Sequence, residues 1–311
     1  MLHISLQMQL FIYILTYPLI WMLSVLPLRV LYFISDIIYV LLYQIIGYRK
    51  KVVRRNLKLS FPERSSEKLL KIEKESFHHF VDIFMEMIKS FSISKKEIAQ
   101  RIIIENPELI NDYIKDNKSV IVLSSHHANW EWSPYLMDQL INCKAYAAYT
   151  KIGNKYFDKK IKSSRTKFGA NFIPTREFID MMQRNADIDR IAIYGFLGDQ
   201  SPQLKKTYYW SNFMGVRVPI ITGAEMLAKR FDYPVVYLQT DLVKRGYYKS
   251  KFINLAKNPK EFPDYQITDM FLDVLEKQIR ENPEYYFWTH KRFKHMGKEK
   301  ETPLANLKSD L

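Results

Sequence analysis

Residues 120–137, VIVLSSHHANWEWSPYLM, join an apolar run to a polar turn and a second apolar segment. The first run has the length and β-branched content of a buried strand, and the second segment is typical of the start of a helix. His126 and His127 lie in the turn between them, and Glu131 follows at the start of the helix. Open α/β sheets bind their ligands at the carboxyl ends of strands. The stretch therefore predicts a strand, a turn that carries candidate functional residues, and a helix.

The same alternation continues along the chain. Short apolar runs with the composition of buried strands are separated by segments with helical periodicity. This order predicts an α/β fold with a central mixed sheet flanked by helices. The predicted strands are 119–125, 144–150, 190–199 and 234–243, and the predicted helices are 130–140, 154–168, 177–184, 221–231 and 267–286.

The N-terminal region is different in character. Residues 8–48 contain only two charged side chains, Arg29 and Asp36. Residues 8–26 are long enough to cross a bilayer, which takes about 20 apolar residues. Residues 30–47 are interrupted by Asp36, and a charge at mid-bilayer costs roughly 2.5–3.5 kcal/mol. We expect one spanning or deeply embedded helix, followed by a second that lies in the interface or packs on the protein.

Six basic residues follow this region within 49–58. They predict a cytoplasmic position for this flank and attraction to anionic membrane lipids. The formal net charge of the chain is +14, which would also suit a protein that binds nucleic acid. Because the basic residues lie beside a membrane segment, we expect them to bind lipid, and we expect no nucleic-acid partner.

The single cysteine, Cys143, excludes an intramolecular disulfide. No phosphate-binding glycine loop is present, so we expect no nucleotide cofactor.

The remaining chain divides by composition. Residues 65–93 have apolar residues at three- and four-residue steps, which predicts an amphipathic helix capped by Ser65. We expect four segments. They are a membrane anchor with interfacial helices (1–48), a basic juxtamembrane segment with amphipathic helices (49–118), an α/β core (119–295) and a polar tail (296–311).

The residue types in the turn leave three interpretations open. A histidine beside a carboxylate is a standard general base, which the acid orients. A metal site would need a third ligand, and no HExxH or similar spacing is present, so we predict no metal. A histidine that only packs or caps a helix is at least as common as a catalytic one. His126 and Glu131 are five residues apart, so they can meet only if His126 precedes the helix.

Five blocks, read in order, resemble the bacterial lipid A biosynthesis acyltransferases, within the lysophospholipid acyltransferase superfamily. SSHHANWEW at 124–132 matches that family's motif of a histidine and a glutamate with four residues between them. The other blocks are RRNLKLSFPE at 54–63, FLGDQSP at 196–202, NFMGVRVPIITGAEMLAKR at 212–230 and PEYYFWTHKRFK at 283–294, where Lys291 stands in a position at which arginine is common. The resemblance implies a glycerolipid-acyltransferase-like fold.

The resemblance also implies an activity and its residues. The protein would be an O-acyltransferase that moves a fatty acyl chain from an acyl thioester to a lipid hydroxyl, with His126 as general base paired with Glu131. Arg165 would bind the oxyanion or an acceptor phosphate, and Asp199 would support or bind in the same site. Possible contacts to lipid or headgroup are Asn129, Trp130, Gln200, Trp288, His290 and Arg292.

The partners and location follow from the same resemblance. The expected acyl donor is acyl carrier protein, with coenzyme A as the alternative, and the expected acceptor is a lipid A precursor. The expected location is the cytoplasmic side of the bacterial inner membrane. Two other functions stay open: acylation of a lysophospholipid or an acylated amino-acid lipid, and lipid binding without catalysis.

Overall fold

Two apolar helices begin the computed structural model, which describes residues 5–140 and 143–299. Helix α1 is Leu6–Val25 and helix α2 is Leu28–Tyr39, which continues as a π-helix over Val40–Ile46. The chain breaks between them where Pro27, without an N–H, cannot continue α1. Both segments are long and apolar enough to cross a membrane by length and composition alone. They indicate membrane association.

Four further helices follow, and the longest of them is α4, Ser66–Lys89. The predicted amphipathic helix is α4, and its capping is confirmed because the Ser65 hydroxyl accepts a hydrogen bond from the Lys68 N–H at 3.3 Å. Helix α2 packs along α4. The bounds are α3 Lys50–Ser60, α4 Ser66–Lys89, α5 Lys95–Ala99 and α6 Glu108–Lys115.

A seven-stranded mixed sheet forms the centre of the molecule. Its strands are β1 Ile102–Ile104, β2 Val120–Ser124, β3 Lys144–Tyr149, β4 Ala170–Pro174, β5 Ala192–Leu197, β8 Val235–Lys244 and β9 Tyr247–Ala256. Their order across the sheet is β1-β9-β8-β2-β5-β3-β4. All its neighbouring pairs are parallel except β8 and β9. The predicted fold class, a mixed sheet flanked by helices, is confirmed.

Both faces of the sheet are covered. Successive side chains of a strand point to opposite faces. Val120 and Val122 belong to one buried cluster, while Ile121 and Leu123 belong to the other. This explains why β2 is a continuous apolar run rather than an alternating one. The covering helices in the second half of the chain are α7 Lys155–Thr166, α8 Phe178–Ala186, α9 Gly223–Phe231 and α10 Gln266–Glu281.

Several elements were not predicted. Strand β1 has only three residues, β4 ends at Pro174, and β9 carries Lys249 and Lys251. A separate hairpin pairs β6 Tyr209–Phe213 with β7 Val216–Ile220. Met214 and Gly215 both have positive φ in its turn, as a tight two-residue hairpin requires. The predicted helix after His126 is a 3₁₀ helix, Trp130–Gln139, with Pro134 inside it. Proline removes a donor that an α-helix would use.

Candidate active site

The site lies where two neighbouring parallel strands end. β2 and β5 pair so that Ser124 lies opposite Leu197. His126 follows the end of β2 by two residues, and Asp199 follows the end of β5 by two residues. Equal offsets from paired strand ends bring these two side chains together at the carboxyl edge of the sheet. The pairing of the strands therefore builds the site.

Asp199 is the carboxylate that holds His126. The Nδ1–H of His126 donates to Asp199 Oδ1 at 2.8 Å, and its backbone N–H donates to Asp199 Oδ2 at 3.1 Å. Asp199 is 1% exposed and the His126 side chain is 14% exposed. Burial by itself would raise the pKa of the Asp199 carboxyl, but its interactions with His126, which include hydrogen bonds from the ring and from the backbone N–H, outweigh burial and lower it. Asp199 is therefore ionised and oriented towards the ring.

The other ring nitrogen of His126 faces Gln200. The side-chain amide of Gln200 donates to His126 Nε2 at 3.1 Å. With Nδ1–H directed to Asp199, Nε2 carries the lone pair. The ring is stacked on Phe287 and tilted against Trp130, with centroids 5.7 and 5.1 Å away. This is the tautomer that a general base at Nε2 requires.

Glu131 has a different partner from the one predicted. Arg165 donates to it through Nη2 at 2.7 Å to both carboxylate oxygens and through Nε at 3.1 Å. Glu131 opens the 3₁₀ helix, and Arg165 reaches it from the last turn of α7. The expected pairing of Glu131 with the His126 ring is thus corrected: Asp199 occupies that place, and Glu131 anchors a guanidinium.

His127 is part of the core. It is 2% exposed, and its two ring nitrogens lie 3.4 Å from the carbonyl of Thr240 and 3.1 Å from that of Asn282. Burial lowers its pKa. The structure therefore separates the two adjacent histidines, with His126 at the site and His127 packed behind it.

Three residues expected at a lipid headgroup are buried instead. Asn129 is 0% exposed, caps the 3₁₀ helix by accepting from the Trp132 N–H, and donates to Glu86 at 2.6 Å. Trp288 is 2% exposed and donates its indole N–H to the Pro283 carbonyl. These side chains hold the turn and the C-terminal segment in place, so the expectation of headgroup contact is corrected.

Arg292 is the third buried residue. It is 1% exposed, lies over the Phe213 ring and donates to the Pro219 carbonyl at 3.3 Å. Burial lowers its pKa. The neighbouring His290 accepts from the Ser201 N–H at 3.3 Å, and burial lowers the pKa of His290 to about 4. This segment braces the loop that carries Asp199 and Gln200.

Sequence reasoning missed two contributors to the site. Phe287 stacks on the His126 ring and donates its backbone N–H to the His126 carbonyl at 3.0 Å. Glu86, fully buried on α4, accepts from Asn129, and burial raises its pKa to about 7. A glutamate on the apolar face of an amphipathic helix was the available signal for Glu86.

An apolar cavity of about 120 Å³ lies beside the site, between the 3₁₀ helix and the sheet. Trp130 contacts both this cavity and the His126 ring. Small side chains leave the space open, among them Ala147 and Gly195 on neighbouring strands. Most of the side chains that line the cavity are apolar.

Among residues 5–140 and 143–299, no group of three or more His, Cys, Asp or Glu side chains could hold a metal ion. The described site residues offer imidazole, carboxylate, amide and guanidinium groups.

The buried histidines predict acid lability. His79 is 8% exposed on α4, and burial lowers its pKa to about 3, against about 6.5 in an unfolded chain. Between these values the unfolded state binds the proton, so stability is present above about pH 6.5 and is lost as the pH falls towards 3. We expect His79→Phe to reduce the slope of the free energy of unfolding against pH by about 1 kcal/mol per pH unit between pH 6 and 4. Denaturant unfolding in detergent at several pH values measures the slope, and an unchanged slope would contradict the assignment.

Comparison with known proteins confirms the resemblance inferred from the ordered motifs. A family model described as bacterial lipid A biosynthesis acyltransferase matches residues 3–295. The chain is similar to the lipid A biosynthesis palmitoleoyltransferase of Escherichia coli strain K12, with 21% identity over 283 residues and 88% of each chain covered. It is similar to the same extent to the lipid A biosynthesis acyltransferase of Shigella flexneri.

Proposed function

The chain belongs to the bacterial lipid A biosynthesis acyltransferase family, and we propose that it moves a fatty acyl chain from an acyl thioester to a hydroxyl of a lipid A precursor. The observation that carries this proposal is the His126–Asp199 pair at the ends of β2 and β5. A hydroxyl is a weak nucleophile, and a held imidazole with a free Nε2 can take its proton. The names of the two relatives support lipid A biosynthesis as the context.

The reaction would proceed by direct transfer. His126 Nε2 takes the hydroxyl proton as the acceptor oxygen attacks the thioester carbonyl carbon. The tetrahedral intermediate collapses, the carbon–sulfur bond breaks, and the imidazolium returns the proton to the departing thiolate. Asp199 stabilises the imidazolium during this interval. The acceptor hydroxyl would take the position on Nε2 that the Gln200 amide holds.

Arg165 would supply positive charge to this reaction. Glu131 holds its guanidinium by two-pronged hydrogen bonding, which fixes its orientation. The Arg165 side chain is 23% exposed, so it keeps access to a ligand. We assign it to the developing oxyanion or to an acceptor phosphate, since a guanidinium suits both.

The apolar cavity would take the acyl chain of the donor. It starts at Trp130 beside the base and runs along the β2, β3, β4 and β5 side of the sheet. Transfer of apolar chain into such a cavity is favourable by roughly 0.8 kcal/mol per buried CH₂. The depth of the cavity would then restrict the length of chain that the enzyme transfers.

Filling the cavity is expected to shift donor preference. A Cβ at Gly195 would lie 3.7 Å from the Tyr146 carbonyl oxygen and 3.9 Å from Ala147 Cβ, which are ordinary contacts. We expect Gly195→Leu to lower kcat/KM for long acyl donors by about 10-fold or more relative to short ones. Competition between donors of different lengths measures the ratio.

The control is the same replacement in open space. A Cβ at Gly153 meets nothing within 4 Å, so Gly153→Leu should leave the chain-length ratio unchanged. An unaltered ratio in Gly195→Leu would assign the acyl chain to another surface.

The donor is proposed to be acyl carrier protein, at the cytoplasmic side of the inner membrane. Acyl carrier proteins are acidic, and the net charge of +14 on this chain would steer them towards it. Acyl-coenzyme A would be attracted in the same way, so the two donors must be compared directly.

Purified protein in detergent tests the proposal. Acyl carrier protein and coenzyme A thioesters are offered against a lipid A precursor and lysophospholipids, and products are identified by mass spectrometry. We expect an acylated lipid A precursor from the acyl carrier protein thioester. Product with a lysophospholipid alone would change the acceptor, and no transfer from any donor would reject the proposed activity.

A further inference from the structure

The first half of α1 contacts the rest of the molecule, residues 49–295, which is called the domain below. The carbonyl of Gln9 accepts from Asn154 Nδ2 at 2.9 Å, and its side-chain oxygen accepts from the Lys155 N–H at 3.0 Å. One turn further on, the Tyr13 ring stacks on Tyr156 with centroids 5.6 Å apart. This half of α1 therefore contacts the start of α7.

The second half of α1 also contacts the domain. The Tyr17 ring lies 5.0 Å from Lys160 Nζ and 6.1 Å from the Phe91 ring. At the end of the helix, Lys89 Nζ donates to the Leu26 carbonyl at 3.0 Å. Contacts to the domain thus run from one end of α1 to the other.

These contacts do not fit a helix that crosses a bilayer. From Gln9 to Leu26 the helix rises about 26 Å, close to the roughly 30 Å of a hydrocarbon core. Half of the twelve residues of α7 are charged, and Lys155 and Lys159 are exposed. If α1 crossed, α7 beside it would carry those charges into hydrocarbon, which strongly disfavours them.

Helix α2 is held against the rest of the molecule by ion pairs. Arg245, in the β8–β9 turn, bonds at 2.6 Å to Asp36 on α2 and at 2.6 Å to Asp82 on α4. The adjacent Gly246 has φ +77°, and a Cβ there would lie 2.1 Å from the Tyr32 hydroxyl. The β8–β9 turn of the central sheet thus lies directly against the middle of α2, which keeps this helix beside the domain.

The opposite faces of both helices are apolar and exposed. On each helix, several large apolar side chains are more than half exposed. An exposed apolar surface that extends along two helices marks a contact with a partner or a membrane. Representative residues are Phe11, Ile14 and Leu15 on α1, and Phe33, Ile37 and Ile45 on α2 and its π-helical extension.

Positive charge borders this apolar surface. Helix α3 starts four residues after Ile46 and exposes Lys51, Arg54, Arg55 and Lys58. Basic side chains next to an embedded apolar surface meet the headgroups of anionic lipids. The complementary partner is therefore a leaflet with anionic headgroups.

We propose that neither apolar helix crosses the bilayer. Both lie along the domain, and their outer faces enter one leaflet while α3 contacts anionic headgroups. The membrane is thus bound from one side, at a surface continuous with the catalytic domain. A lipid acceptor in that leaflet would reach the site without leaving the plane of the membrane. The proposal concerns topology and is independent of the acyl donor and acceptor.

Thiol labelling tests the topology in the full-length protein. In a Cys143→Ser background, single cysteines are placed at Ser5 before α1, at Arg29 at the start of α2, and at the exposed Lys260 as a domain reference. Sealed membrane vesicles of each orientation are treated with an impermeant maleimide. We expect all three positions to label from the same side. Labelling of Ser5 or Arg29 from the side opposite Lys260 would mean that a helix crosses, and the proposal would fall.

Flotation with preformed anionic vesicles tests the embedded face. Ile37 is 56% exposed on α2, and Ile188 is 60% exposed before β5, at the amino end of that strand. We expect Ile37→Glu to reduce the vesicle-bound fraction at least several-fold, and Ile188→Glu to leave it unchanged. Wild-type vesicle binding by Ile37→Glu would overturn the proposal. A dimer in detergent that Ile37→Glu dissociates, with vesicle binding intact, would assign the face to a second copy instead.

Discussion

Replacing His126 with alanine is expected to lower kcat/KM for acyl transfer by about 10²- to 10⁴-fold, the usual contribution of a general base. The side chain is partly exposed at the edge of the sheet, so the fold should tolerate its loss. Steady-state kinetics with the thioester donor, together with thermal unfolding in detergent, separate the two effects. Activity near the wild-type level would remove His126 from the mechanism.

His127→Ala is the matched control, and it should behave in the opposite way. His127 is buried between the carbonyls of Thr240 and Asn282, and its removal leaves a buried acceptor without a donor. We expect a loss of stability on the order of 1–3 kcal/mol, with activity per folded molecule largely retained. If His127→Ala abolished turnover in a fully folded protein, the roles of the two histidines would have to be exchanged.

Asp199→Asn is expected to lower kcat by about 10²- to 10⁴-fold with little change in KM for the donor. Asparagine has the size of aspartate, but its NH₂ group can donate to His126 Nδ1. The ring proton would then move to Nε2, which could no longer accept the hydroxyl proton. Pre-steady-state kinetics resolve the chemical step, and nitrogen chemical shifts of the His126 ring report the tautomer.

Glu131→Gln distinguishes the two carboxylates. It weakens the anchor of Arg165 but leaves the His126–Asp199 pair in place, so we expect a loss of only about 10-fold. The ring tautomer should stay that of the wild type. A loss as large as that of Asp199→Asn, with a changed tautomer, would show that Glu131 holds the ring during turnover.

Local sequence patterns were sufficient for the elements that build the site. The runs at 119–125 and 190–199 contain β2 and β5, and the periodic segment at 65–93 contains α4. Apolar periodicity is a property of adjacent residues, so it can be read without knowing the fold. The same applies to the alternation that predicts a sheet with helices on both faces.

Local sequence patterns could not predict which carboxylate binds the His126 ring. Glu131 is close to His126 in sequence and fits a familiar motif, whereas Asp199 is 73 residues away. Its approach depends on β2 pairing with β5 rather than with the next strand along the chain. Strand order is decided by the packing of the whole sheet, and a single sequence carries no direct record of it.

The burial of the side chains in the 283–294 block could not be predicted from the sequence either. Trp288 and Arg292 have amphipathic side chains that suit a headgroup or a core. The structure buries both because the 283–290 segment returns to pair with the turn at 126–128, where His127 bridges Tyr286. A contact between segments so distant in the chain has no local signature.

By itself, the sequence determined the class of fold, the family and the turn that carries His126, since each depends on neighbouring residues or on short ordered motifs. Only the tertiary structure decided that Asp199 orients His126, that Glu131 anchors Arg165, and that the apolar helices lie against the domain. Each of these is a contact between residues remote in sequence. Such contacts follow from the way strands and helices pack together, which local composition does not encode.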